Sequence, residues 1–261
     1  MALEQEHKPK PRNFLIGILG PIGAGKSTLC RVIQQQWRTR DITVEILEEQ
    51  FLGNPHLAGF YDVDPRIYSF PSEIRFVTDA ALQLSTLSKS RTLEASCAIV
   101  DPAYEMHGIY PEVHLEMGWL SEEEIKIYRN TFQTLKREQY LPTPDIFFVV
   151  NAPVPTLLER IQTRAKERPM ERNLLAKPWG EEYLTRLANA VDRWYNQKIC
   201  EAGHPPVIRL DSGVVNFSSD DEGQGSVIKD VGDWIRYYFV DHQVQGSDGS
   251  SLVIPQNVYA A

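Results

Sequence analysis

Residues 14–29 read FLIGILGPIGAGKSTL. The first six, almost all apolar and closed by Gly20, have the length and composition of a short buried strand. From Ser27 to about residue 38, Leu29, Val32, Ile33 and Trp37 recur at helical spacing. Between strand and helix, Gly20, Gly25, Lys26 and Ser27 satisfy the pattern G-x-x-x-x-G-K-S/T in the context that pattern requires. Glycines let consecutive backbone N–H groups curl around phosphate oxygens, and the helix start adds partial positive charge. Gly20, Gly23, Ala24, Gly25, Lys26, Ser27 and Thr28 are therefore expected to cradle a nucleoside triphosphate, with Lys26 on the β/γ oxygens and the Ser27 hydroxyl on Mg²⁺. GTPases, ATPases and small-molecule kinases share this loop, so it names a ligand class and no reaction.

Working outward, strands are expected at 42–47, 97–100, 145–150 and 206–210. Helices are expected at 71–87, 121–138, 155–166, 181–199 and 225–240, the second opened by a Ser121/Glu124 capping box. Alternating strands and helices with short connections imply an α/β fold, a parallel sheet covered on both faces. A flexible segment is expected at 1–12, one domain over 13–242 and a loose tail over 243–261.

The 261 residues suit one large domain. A net charge of −8 argues against a nucleic-acid polymer as partner. No window approaches the ~18 apolar residues of a membrane span. The polar start and three scattered cysteines, Cys30, Cys97 and Cys200, point to a reducing cytoplasm. A motor or AAA-type ATPase needs far more chain, and no guanine-reading N-K-x-D is present.

Residues 48–61 (EEQFLGNPHLAGFY) and 68–76 (YSFPSEIRF) resemble the deoxynucleoside kinase family. There an E-P-V tripeptide after the second strand is followed by N-P, a Phe-Tyr pair and an aromatic helix carrying Gln. The resemblance continues through 100–105 (VDPAYE), 114–118 (HLEMG), 144–146 (PDI), 158–166 (LERIQTRAK) and Tyr183-Leu184. It spans roughly residues 13–240 and rests on the shared order of modest pieces. It implies a P-loop NTPase fold with a five-stranded parallel sheet flanked by helices and an Arg-containing lid near 160–172. The implied activity is transfer of the ATP γ-phosphoryl, with Mg²⁺, to a deoxynucleoside 5′-hydroxyl. A homodimer built on the helices at 71–87 and 121–138 is implied as well.

The resemblance also assigns residues. Glu49, five residues before Asn54, corresponds to the general base, with Gln50 where the family has Pro; a solvated acidic strand end is the other reading of Glu48 and Glu49. Asp101 corresponds to the acidic residue that joins Ser27 at Mg²⁺. Pro102 stands where the family carries an Arg on phosphate and catalytic carboxylate, so Arg75 or another Arg would have to bring that charge. Tyr61 corresponds to the 3′-hydroxyl ligand, though a phenol beside Phe60 equally suits core packing. Glu73 takes the place of the base-reading Gln, with Phe76 on the same helix also facing substrate. As an accept-only carboxylate, Glu73 suits a two-donor edge such as guanine N1–H and N2–H; a surface glutamate in a shifted register is the alternative. Arg160 and Arg164, with Lys166 and Arg168, correspond to the cationic lid over the triphosphate, and Glu171 lies beside the substrate. A solvated basic helix end is the competing account of that cluster.

Two other functions remain open on sequence alone. One is a degenerate nucleotide-binding regulatory or assembly subunit, its chemistry lost with the Arg now replaced by Pro102. The other is a P-loop kinase for another small hydroxyl or a nucleoside monophosphate. His107 and His114, seven apart, have no carboxylate or cysteine at ligand spacing, which argues against a metal site there.

Overall fold

The computed structural model describes residues 14–38, 43–90, 97–166 and 169–214, with the side chains of 86–90 and 169–172 set aside. Five parallel strands, β1 (Phe14–Leu19), β2 (Val44–Glu48), β3 (Cys97–Asp101), β4 (Ile146–Asn151) and β5 (Val207–Asp211), form one sheet in the order β2-β3-β1-β4-β5. Ile16 of β1 pairs in register with Ile99 on one side and Ile146 on the other. All six residues of β4 are buried, as continuous apolar runs in a sheet covered on both faces should be.

The helices are α1 (Lys26–Arg38), α2 (Leu57–Asp62), α3 (Pro65–Ser90), α4 (Met106–Glu116), α5 (Glu122–Arg137), α6 (Val154–Arg164), α7 (Pro169–Ala176) and α8 (Gly180–Lys198). The expected spacing on α1 does its work: Leu29, Cys30, Ile33 and Trp37 are buried in the core with Ile16, Ile18 and Phe148. Truncating a side chain such as Trp37 to Ala at this position costs about 3–5 kcal/mol. The expected capping box opens α5: the Glu124 N–H donates to Ser121 Oγ at 3.2 Å and the Ser121 N–H to Glu124 Oε2 at 2.8 Å.

Two corrections concern proline. The helix expected to begin at Pro71 runs from Pro65 with Pro71 inside it, and α4 contains Pro111 where no helix was expected. A proline inside a helix removes one N–H donor. In α4 the carbonyl left without that donor is His107 O, and the Tyr128 hydroxyl of α5 donates to it at 2.7 Å. In α3 the corresponding carbonyl belongs to Ile67, an exposed residue. The short helices α2 and α7 were also not expected. The segments expected at 1–12, 225–240 and 243–261 lie outside the described residues.

Candidate active site

The carboxyl ends of β1, β2 and β3 deliver the phosphate loop, Glu49 and Asp101 to one edge of the sheet, which is where open α/β sheets hold ligands. A Cβ on Gly20 would stand 2.1 Å from the carbonyl oxygen of Val150, and Gly23 has φ +85° with its missing Cβ 2.9 Å from Leu157 O. Side chains are excluded at both positions, so the loop presents backbone. Lys26 Nζ donates to the carbonyls of Gly20 (2.8 Å) and Pro21 (3.1 Å). Burial lowers its pKa, opposed mainly by the charge of Asp101.

Arg160 does not line the cavity. Its guanidinium donates to Ser212 Oγ at 2.8 Å and more weakly to Ala24 O at 3.4 Å, and Ser212 Oγ itself donates to Ala24 O at 2.7 Å. Arg160 thus fastens the phosphate loop to the segment after β5. Arg164, one helical turn later on α6, lines the cavity together with Arg31 and Lys26. Arg75 pairs at 2.6 Å with Asp79 on the exposed side of α3 and is not a lining residue. Pro102, at the end of β3, lines the cavity without offering charge or donor.

Glu49 follows β2 and is anchored by its own N–H, which donates to Asp101 O at 2.9 Å. Its side chain keeps 28 % exposure. The surrounding walls nevertheless desolvate the carboxyl and push its pKa up to about 7, with Lys26 pulling the other way. His107 Nε2 lies 3.8 Å from Glu49 Oε1, and its ring stacks on Phe76 with centroids 6.4 Å apart. Burial holds the His107 pKa to about 4, so the imidazole is neutral.

Glu73 is buried at 4 % exposure, which disposes of the surface alternative. Oε1 lies 3.6 Å from His114 Nδ1, while Oε2 and that Nδ1 have no hydrogen-bond partner. On its other side His114 Nε2 meets the Tyr183 hydroxyl at 3.2 Å. The rings of Phe60, Trp119 and Tyr183 surround His114 at centroid distances of 5.2, 5.4 and 5.6 Å. Desolvation, reinforced by the charge of Glu49, raises the Glu73 pKa well above the ordinary carboxyl value. Burial takes His114 down to about 3. Burial this deep opposes the charged form that an accept-only reading of Glu73 requires.

Ser27, Thr28, Gly23, Gly25, Asp101, Tyr61, Glu73 and Phe76 line the same cavity, of about 610 Å³, as Lys26, Glu49 and Arg164. Tyr61 is also buried against Phe60, edge to face at 5.1 Å, so packing and ligand contact are not exclusive. The Glu171 side chain lies outside those described, as do Glu167 and Arg168. Sequence reasoning passed over His107, Tyr110 and His114 as lining residues. Their offsets of three, four and seven place them on one face of a helix, a signal that Pro111 obscured.

A sequence profile of deoxynucleoside kinases matches residues 16–236. The chain belongs to the deoxynucleoside kinase family. Its members are phosphotransferases that use nucleotides, and this chain is a kinase of that type. Among relatives, a deoxyadenosine/deoxycytidine kinase of Bacillus subtilis (strain 168) is 27 % identical over 189 residues, 72 % of this chain and 80 % of the relative. A deoxyguanosine kinase of the same organism is 33 % identical over 159 residues, 61 % and 70 % of the two chains. A deoxyadenosine kinase from M. mycoides, solved with bound dCTP, superposes with a TM-score of 0.64 at 22 % identity, covering 85 % of this chain and all of that one. The same enzyme with bound dATP gives 0.65 at 23 %, covering 84 % and 98 %. These superpositions speak for the fold. Pro102 and Glu73, the two positions where the sequence reading expects departures from the family pattern, both line the cavity.

Proposed function

We propose that this chain transfers the γ-phosphoryl group of ATP, with Mg²⁺, to the 5′-hydroxyl of a deoxynucleoside. The observation that carries the reading is a single cavity uniting a phosphate loop, a carboxyl of near-neutral pKa and a buried polar cluster framed by aromatic rings. A triphosphate needs the first, a hydroxyl acceptor the second and a nucleobase the third. In the reaction the acceptor oxygen bonds to the γ-phosphorus, the bond to the β–γ bridging oxygen breaks, ADP departs, and the hydroxyl proton passes to Glu49. A base working near neutral pH is poised for such a transfer.

Lys26 and Arg164 supply positive charge toward phosphoryl oxygens, and Tyr61 offers a hydroxyl to the sugar. Ser27 and Asp101 are the residues that would hold Mg²⁺, which when bound neutralises phosphate charge; a hydroxyl and a carboxylate are the hard oxygen donors that ion takes. We extend the proposal to a single domain over 13–242, a cytoplasmic setting in which Cys30 and Cys97 stay thiols, and a homodimer on α3 and α5, where Leu82 and Ile127 are exposed.

The test incubates pure chain with Mg-ATP and each of the four deoxynucleosides and follows 5′-monophosphate formation. Glu49→Gln is expected to lower turnover at least ~100-fold with ATP affinity retained, the usual scale for a general base. Near-normal turnover in that variant would remove Glu49 from the role. ATP binding without turnover on any acceptor would contradict the kinase reading.

A further inference from the structure

We propose that Glu73 meets its ligand as a carboxylic acid, kept in that form by its enclosure beside the uncharged His114 and Tyr183, so that it takes a nucleobase edge with one donor beside one acceptor. This rests on the reading of the cavity as a deoxynucleoside site and deepens it by naming the edge. Such edges are adenine N6–H with N1, cytosine N4–H with N3, or thymine N3–H with O4. Guanine would be met at N1–H with O6, because its two-donor edge, N1–H with N2–H, calls for an ionised carboxylate.

Glu73 is 4 % exposed and His114 2 %. An ionised carboxylate buried this deeply needs a cation or several N–H donors close by. Here its neighbour at 3.6 Å is an imidazole that is itself fully enclosed, and Glu73 Oε2 has no partner. The groups that face the pair from the packed elements do not change this. Glu49 follows β2 and carries charge of the same sign as a Glu73 carboxylate. Tyr110 on α4, Tyr128 on α5 and Tyr183 on α8 are phenols whose own ionisation burial opposes.

The Tyr183 hydroxyl at 3.2 Å occupies His114 Nε2, leaving Nδ1 turned to Glu73. The result is a row of neutral groups from α8 through α4 to α3, hydrogen-bonded between Tyr183 and His114 and in contact only at 3.6 Å between His114 and Glu73. A neutral carboxyl presents one O–H donor and one C=O acceptor, the same pair as a glutamine amide. The two orphan atoms, Glu73 Oε2 and His114 Nδ1, are polar groups buried without a bond, a cost that folded proteins tolerate at sites awaiting a ligand.

Two measurements test this. In protein carrying ¹³C-carboxyl glutamate, the Glu73 resonance, assigned by its loss in Glu73→Gln, is expected at the protonated position at pH 7; the ionised position there overturns the proposal. In calorimetric titrations of the unaltered chain, deoxyinosine, which keeps N1–H and O6 but lacks the N2 amino group, is expected to bind within about threefold of deoxyguanosine. A loss of about tenfold or more would show that a two-donor edge is read and overturn the proposal. Glu73→Gln should keep each affinity within about threefold and Glu73→Leu should lose at least about tenfold. A tenfold loss or a changed ranking in Glu73→Gln would overturn the proposal, since only an ionised group differs so much from an amide. Absence of binding by every deoxynucleoside overturns the substrate reading and the base edge with it, while the carboxyl resonance still reports on Glu73.

Discussion

His114 shows how one side chain ties the site to stability. In the unfolded chain an imidazole takes up a proton below about pH 6.5, whereas in the fold burial holds it off until about 3. Between those values the unfolded state binds more protons. The contribution of neutral His114 is therefore complete above pH 6.5 and is lost progressively as pH falls toward 3. His114→Phe removes the titrating group and the bond to Tyr183. Near pH 7.5 the variant is expected to be less stable by about 1–3 kcal/mol. That gap should narrow below pH 6.5, by up to about 1.4 kcal/mol per pH unit. Urea melts of both proteins between pH 4.5 and 8 provide the check, and a gap independent of pH would contradict it. Lys26 and Ser27 were legible in sequence because their roles depend on neighbours within seven residues. The pairing of Glu73 with His114, or of Glu49 with His107, depends on partners brought together only by the fold.

Helix α4 is the element on which the site turns, since it carries His107, Tyr110 and His114 on one face. It exists despite Pro111 because Tyr128 supplies the donor that proline lacks, at 2.7 Å to His107 O. Tyr128→Phe leaves that buried carbonyl unsatisfied and is expected to destabilise the chain by about 1–3 kcal/mol. It should also reduce turnover, because His107 stands beside Glu49. Chemical denaturation and steady-state rates together measure this; unchanged stability would show that α4 holds its shape without the Tyr128 bond. Local pattern made α1 and α5 plain, through apolar spacing in one and a capping box in the other. It could not reveal α4, because the compensation for its proline comes from another helix.

For the molecule as a whole, strand order does the positioning. With β3 beside β1, the phosphate loop after β1 and Asp101 at the end of β3 share one edge, and Glu49 follows on the next strand out. The alternation of strands and helices carried that much in the sequence, and the resemblance to a family supplied the order of the parts. The wall that would receive the base was hidden because its central members Glu73, His114 and Tyr183 come from three helices, α3, α4 and α8. His114 and Tyr183 alone stand 69 positions apart. Pro102 had left open how positive charge reaches the phosphoryl group; Lys26, Arg31 and Arg164 all line the cavity, whereas Arg75 is committed to Asp79. Transfer can thus be asked of the protein directly. Incubation of the pure, unaltered chain with γ-labelled ATP, Mg²⁺ and deoxyadenosine or deoxycytidine is predicted to place the label on the 5′-oxygen as the monophosphate. Label appearing only as free phosphate, or remaining on ATP, with these and every other deoxynucleoside would contradict the account.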